Sequence, residues 1–88
     1  MKSIMPYHRN VCIECGGHGR EDHHCIFGKN MANSDKYGLI VRLCHDCHYR
    51  LHNSDEALAM KYRQLGQMCF EETHSHEEYM KIFGRNYL

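Results

Sequence analysis

Two Cys-x-x-Cys pairs, Cys12–Cys15 and Cys44–Cys47, constrain this chain more than any other feature of its sequence. A spacing of two lets both sulfurs of a pair point into one tetrahedral site while backbone amides satisfy the thiolates. Together the pairs make a four-thiolate zinc site that closes the intervening chain into a loop. A redox dithiol does not account for two pairs, nor for Gly16, Gly17 and Gly19, which mark a tight turn behind the first. Size supplies the need for such a staple. A chain of 88 residues has room for one domain and buries only about 60% of its unfolded surface, so zinc binding contributes folding free energy directly.

Charge and hydropathy narrow the class. The 11 Lys and Arg balance 11 Asp and Glu, which excludes a polycationic coat and an acidic tail. With 42% hydrophobic residues and a single Pro, the chain reads as globular rather than disordered. No apolar run approaches the roughly 18 residues of a membrane span, and Lys2, Pro6, His8 and Arg9 interrupt the block a signal peptide needs. The expected location is a cytosol, with no membrane partner. Thiols stay reduced there, and cysteines at this spacing bind metal rather than form disulfides.

The expected fold class is α+β, a single domain over 1–88, with a zinc-braced core at about 8–53 and a helical extension at 54–88. Leu39 to Leu43 suits a strand by its β-branched residues and length. Gly28 to Gly38 reads as a turn-rich loop with short strands on either side. Asp46 to His52 fits a helix of about two turns. Further on, Leu58, Tyr62, Leu65 and Cys69 recur three and four apart, with Ala57, Met60 and Met68 widening the stripe of one amphipathic helix. Asn53 with Glu56 resembles its capping pair, and Ser54 is the alternative cap. A shorter helix follows Ser75, with Glu78 at the capping-box offset, Tyr79, Ile82 and Phe83 on one face, and Gly84 as the stop. Cys25 and Cys69 stand alone and read as buried apolar side chains.

A second cluster consists of the doublet His23-His24 with His48 and His52. Residues four apart on a helix share a face, so His48 and His52 can bind one ion. One imidazole from the doublet gives three nitrogen ligands with coordination positions left open, which is the pattern of a catalytic rather than a structural metal. The other imidazole of the doublet then sits beside the ion. A side chain with an ordinary pKa near ~6.5 is suited to take a proton from water. His8, His18, His45, His74 and His76 have no spacing that demands more than a surface role, although His18 and His45 lie next to the thiolates.

The succession Cys-x-x-Cys, His-His, polar loop, then Leu43-Cys44-x-x-Cys47-His48-x-x-x-His52 resembles the HNH endonucleases, whose ββα-metal (His-Me finger) core is braced in many members by four cysteines. It is similar in particular to small phage and prophage members, through Phe27-Gly28 and Lys36-Tyr37-Gly38-Leu39, over about Cys12 to His52; Phe83 to Tyr87 resembles them less specifically. The resemblance implies His23, His48 and His52 as ligands of a catalytic divalent ion and His24 as general base. It implies a metal-dependent hydrolase of double-stranded DNA, encoded by a phage or prophage and active in the bacterial host cytoplasm, that leaves 5′-phosphate and 3′-hydroxyl ends. Three imidazoles favour Mn²⁺, Ni²⁺, Co²⁺ or Zn²⁺ over Mg²⁺, although availability can put Mg²⁺ to use. The middle Asn of the family motif falls near Gly38 or Leu39, which cannot orient an imidazole through a side chain. Asn33, Asn30 or a backbone carbonyl are the candidates to do so instead.

Met1 to Asn53 carries 7 Lys and Arg against 5 acids, whereas Ser54 to Leu88 carries 4 against 6. The motif half is therefore expected to face phosphates, with Arg20, Lys29, Lys36, Arg42 and Arg50 as candidate contacts. With no large positive field, binding would draw help from a second protomer or from a phage or host protein. A non-catalytic zinc module that binds nucleic acid or a protein is the alternative.

Overall fold

The computed structural model describes residues 3–88. Two short strands, β1 (Glu21–His24) and β2 (Ile40–Leu43), pair antiparallel with Glu21 opposite Leu43 and His24 opposite Ile40. The β-branched run forms β2 as expected, with Ile40, Val41 and Leu43 buried. Backbone bonds extend the pairing at both ends, from Arg20 N–H to Leu43 O (3.0 Å) and from Cys25 N–H to Leu39 O (2.9 Å). Ile13 N–H donates to Arg42 O (2.9 Å), which fastens the first cysteine turn to β2.

The segment between the strands is not the expected loop. A 3-10 turn at Gly28–Asn30 leads into α1 (Met31–Tyr37), which ends on Gly38 in the left-handed conformation at φ 72°. Asn33, Ser34, Asp35 and Tyr37 have weak helix propensity and seven residues are too few for a helix to stand alone, so the helix depends on what its polar side chains bind in the tertiary structure. Buried Ser34 accepts from Ile26 N–H and donates to Ile26 O, securing the helix to the chain beyond β1. The Asn30 and Asn33 amides donate to Phe83 O (2.9 Å) and Ile82 O (3.2 Å). Both carbonyls belong to the last turn of a later helix, where no partner exists within the helix itself.

That helix is one of three after β2. Helix α2 spans His45–Asn53, and its N-cap is Cys44, whose sulfur accepts from Cys47 N–H. Helix α3 spans Glu56–Glu71, capped by Asp55 through Leu58 N–H (2.9 Å) rather than by Asn53 or Ser54. Ser75 and Glu78 form the expected capping box of α4 (His76–Phe83), and Gly84 ends it at φ 77°. The buried face of α3 is Leu58, Ala59, Tyr62, Gly66, Gln67 and Phe70, with Leu65 and Cys69 partly covered. Ala57 and Met68 face water, so the stripe widens on the side opposite to the one expected. Gln67 is buried because its amide donates to Glu71 and Asn86 and accepts from Tyr87 N–H, tying the C-terminal tail to α3.

The result is a small α+β domain with a two-stranded sheet and four helices. One hydrophobic cluster runs from Met5 through Cys25, Ile26 and Leu43 to Tyr62, Phe70, Tyr79 and Phe83, so the helices of 54–88 share the core of the sheet. Among the described residues no helix is long and apolar enough to cross a membrane. Gly19 shows how closely the first turn approaches β2. A Cβ there would lie 2.7 Å from Val11 N and 2.6 Å from Arg42 Cγ. Gly19→Ala is therefore expected to cost about 1–3 kcal/mol in chemical denaturation. Wild-type stability in that variant would contradict this packing.

Candidate metal centres

The first centre is built where two tight turns meet. Sγ atoms of Cys12, Cys15, Cys44 and Cys47 all lie within 4.8 Å of one another, and Cys15 Sγ is 3.8 Å from Cys44 Sγ. A zinc tetrahedron with Zn–S near ~2.3 Å has sulfurs about 3.8 Å apart, so the donor set fits this ion. Gly17 N–H and Cys47 N–H each point at a sulfur of their own turn, at 3.4 Å. Burial pushes the Cys12 thiol up, but backbone N–H groups at Cys15, Cys44 and Glu14 outweigh it and draw it down to about 7. Burial and the surrounding sulfurs hold Cys47 high. Glu14, inside the first pair, accepts from Tyr62 Oη (2.7 Å) and Lys61 Nζ (2.9 Å), which anchors this turn to α3. The four cysteines can thus hold a structural zinc.

The second centre arises because β1 carries His23 toward the face of α2 that presents His48 and His52. One ring nitrogen from each of the three lies within 4.8 Å of the others. The ring centroids form a nearly equilateral triangle with sides of 5.1, 5.2 and 4.9 Å. His23 is 1% exposed, and its Nε2 is the one buried side-chain nitrogen or oxygen among the described residues with no hydrogen-bond partner. An unpartnered buried polar atom costs about 1–3 kcal/mol, so three converging imidazoles with one orphaned nitrogen fit a cation. The three rings, with His24, Asp22, Phe27 and Met31, line an open cleft of about 270 Å³.

No protein-family model, curated protein or solved structure matches the chain.

Burial, reinforced by His48 and His52, holds the His23 imidazole down at about 3. It therefore stays neutral and keeps a lone pair for a ligand. Above its ordinary pKa of about 6.5, the folded and unfolded chains both carry His23 neutral. Below that pH the unfolded chain takes up a proton that the folded chain refuses, and stability falls by up to about 1.4 kcal/mol per unit until about pH 3. Denaturant titrations between pH 7 and 4 should show a shallower pH dependence for His23→Leu than for wild type. Parallel curves would contradict the burial of a neutral His23.

The partner of His24 is one the sequence does not announce. Its Nε2 lies 3.2 Å from Asp35 Oδ1 on α1. Asn30 and Asn33, the expected orienting residues, spend their amides on the end of α4 and form no hydrogen bond with His24. Two of the five expected phosphate contacts are likewise occupied. Arg42 pairs with Asp22, its cross-strand neighbour, at 3.0 Å and donates to Arg9 O at 2.8 Å. Arg50 lies 3.5 Å from Asp55 and 3.9 Å from Glu14. Arg20, Lys29 and Lys36 are exposed and form no ion pair among the described residues. Cys25 is buried with Sγ 3.5 Å from Met5 Sδ, and Cys69 is half-buried; neither joins a metal-ligand group.

Proposed function

We propose that this chain is an HNH-type endonuclease: a zinc-braced ββα-metal domain that hydrolyses DNA phosphodiesters with one divalent ion on His23, His48 and His52. The observation that carries this reading is the convergence of ring nitrogens of His23, His48 and His52 at an open cleft, where His23 Nε2 is buried without a partner and a fourth imidazole lines the same cleft. The order β1, β2, α2, with ligands on the first strand and on the helix, agrees with it.

When bound, a divalent ion supplies positive charge against the phosphodiester oxygens. The remaining work falls to side chains of the chain. Asp35 accepts from His24 Nε2–H, which leaves Nδ1 as the nitrogen that takes a proton from the attacking water. His23 stays neutral through burial and contributes a lone pair. Of the expected contacts, Arg20, Lys29 and Lys36 remain available to the flanking phosphates.

Nicking of supercoiled plasmid in Mn²⁺, Ni²⁺ or Mg²⁺ tests the proposal. Metal-dependent relaxation that EDTA stops is the expected result. The pairing of Arg42 and Arg50 within the protein favours a second reading, a zinc-stabilised binding module, because it leaves little positive field for a polyanion. Absence of cleavage of every DNA and RNA offered, in every metal, would make that module the better account.

A further inference from the structure

We propose that Glu21 is the positioning residue of the imidazole centre: its single carboxylate orients His48 for metal binding and locks the first turn of α2 to β1. The inference rests on the three-histidine reading above and assigns it a residue outside the ligand set. Glu21 Oε1 lies 2.7 Å from His48 Nδ1, and Oε2 lies 2.9 Å from His45 Nδ1. Both oxygens are committed to imidazoles three residues apart, on the turn that also carries Cys44 and Cys47. Glu21 itself sits opposite Leu43 in the sheet, next to the first cysteine of that turn.

The chemistry follows from which nitrogen is taken. A carboxylate accepts hydrogen bonds and donates none, so it holds His48 with hydrogen on Nδ1 and the lone pair on Nε2. Metal-bound histidines are ordinarily held this way, with the far nitrogen on a carboxylate or carbonyl. Among the described residues, neither ring nitrogen of His23 or of His52 bonds to a carboxylate or carbonyl, so His48 is the ligand oriented in advance. Glu21 is not a fourth ligand, since its oxygens do not belong to the group of converging ligand atoms. A surface ion pair would be worth little by itself. Here the effect lies in selecting a tautomer and a ring orientation.

Calorimetric titration of the zinc-loaded, full-length chain with Ni²⁺ tests the proposal. Wild type should take up one further ion. Glu21→Ala should keep its zinc and bind Ni²⁺ about 10- to 100-fold more weakly. Glu21→Gln, whose carbonyl still accepts from one imidazole, should recover part of that loss. Nitrogen-detected NMR supplies a readout that general loosening does not move. His48 should carry its proton on Nδ1 in wild type and shift toward Nε2, the preference of free imidazole, in Glu21→Ala. Nickel affinity in Glu21→Ala within about twofold of wild type, or loss of zinc along with nickel, would overturn the assignment. A wild-type chain that takes up no ion beyond zinc would sink the three-histidine reading itself, a result distinct from either.

Discussion

Cys47→Ser is expected to leave the chain unfolded, with its zinc lost and its helical circular dichroism collapsed. A structural zinc contributes about 10–16 kcal/mol of apparent binding free energy, as much as or more than the 5–15 kcal/mol of net stability typical of a whole domain. Cys47 is 4% exposed and belongs to the core as well as to the thiolate group, so serine would lose both contributions. The damage should spread, because His48 follows Cys47 on the same turn and the first cysteine pair hangs from β2 through Ile13. Metal content by mass spectrometry and thermal unfolding by circular dichroism check this. A cooperative transition in Cys47→Ser near the wild-type temperature would show that the hydrophobic core suffices without the staple.

His24→Ala is expected to lower plasmid nicking by about 10²- to 10⁴-fold, the usual contribution of a positioned general base, while zinc content and unfolding temperature stay at wild-type values. His24 belongs to neither ligand group, and its contact with Asp35 is partly exposed, so its removal leaves the fold intact. Equal Ni²⁺ uptake by variant and wild type separates loss of the base from loss of the ion. Nicking in His24→Ala within about threefold of wild type would remove this residue from the reaction.

What could be read from the sequence follows range. Both cysteine pairs and the His48/His52 spacing are local geometry, set by a turn and by a helical period, and the sulfurs and nitrogens do converge. Ser75 and Glu78 are equally local, and their capping box forms as expected. The rest depends on partners distant in sequence. Helix α1 has the composition of a loop and becomes helical because Ser34, Asn30 and Asn33 bind carbonyls on other elements. That commitment takes both asparagines away from His24 and leaves the position to Asp35, a residue with no motif to mark it. Glu21 is hidden for the same reason, since only the register of β1 on β2 brings its carboxylate to α2. Arg42 and Arg50 looked available to phosphate because their acidic partners lie 20 residues away across the sheet or in a neighbouring turn.

The most direct measurement is anomalous diffraction from crystals of the zinc-loaded chain soaked in Mn²⁺. The account predicts two metal peaks. One, at the zinc edge, should lie about 2.3 Å from the sulfurs of Cys12, Cys15, Cys44 and Cys47, and a separate manganese peak should lie at bonding distance from nitrogens of His23, His48 and His52. A zinc peak alone, with the three imidazoles bonded to water or to one another, would contradict it.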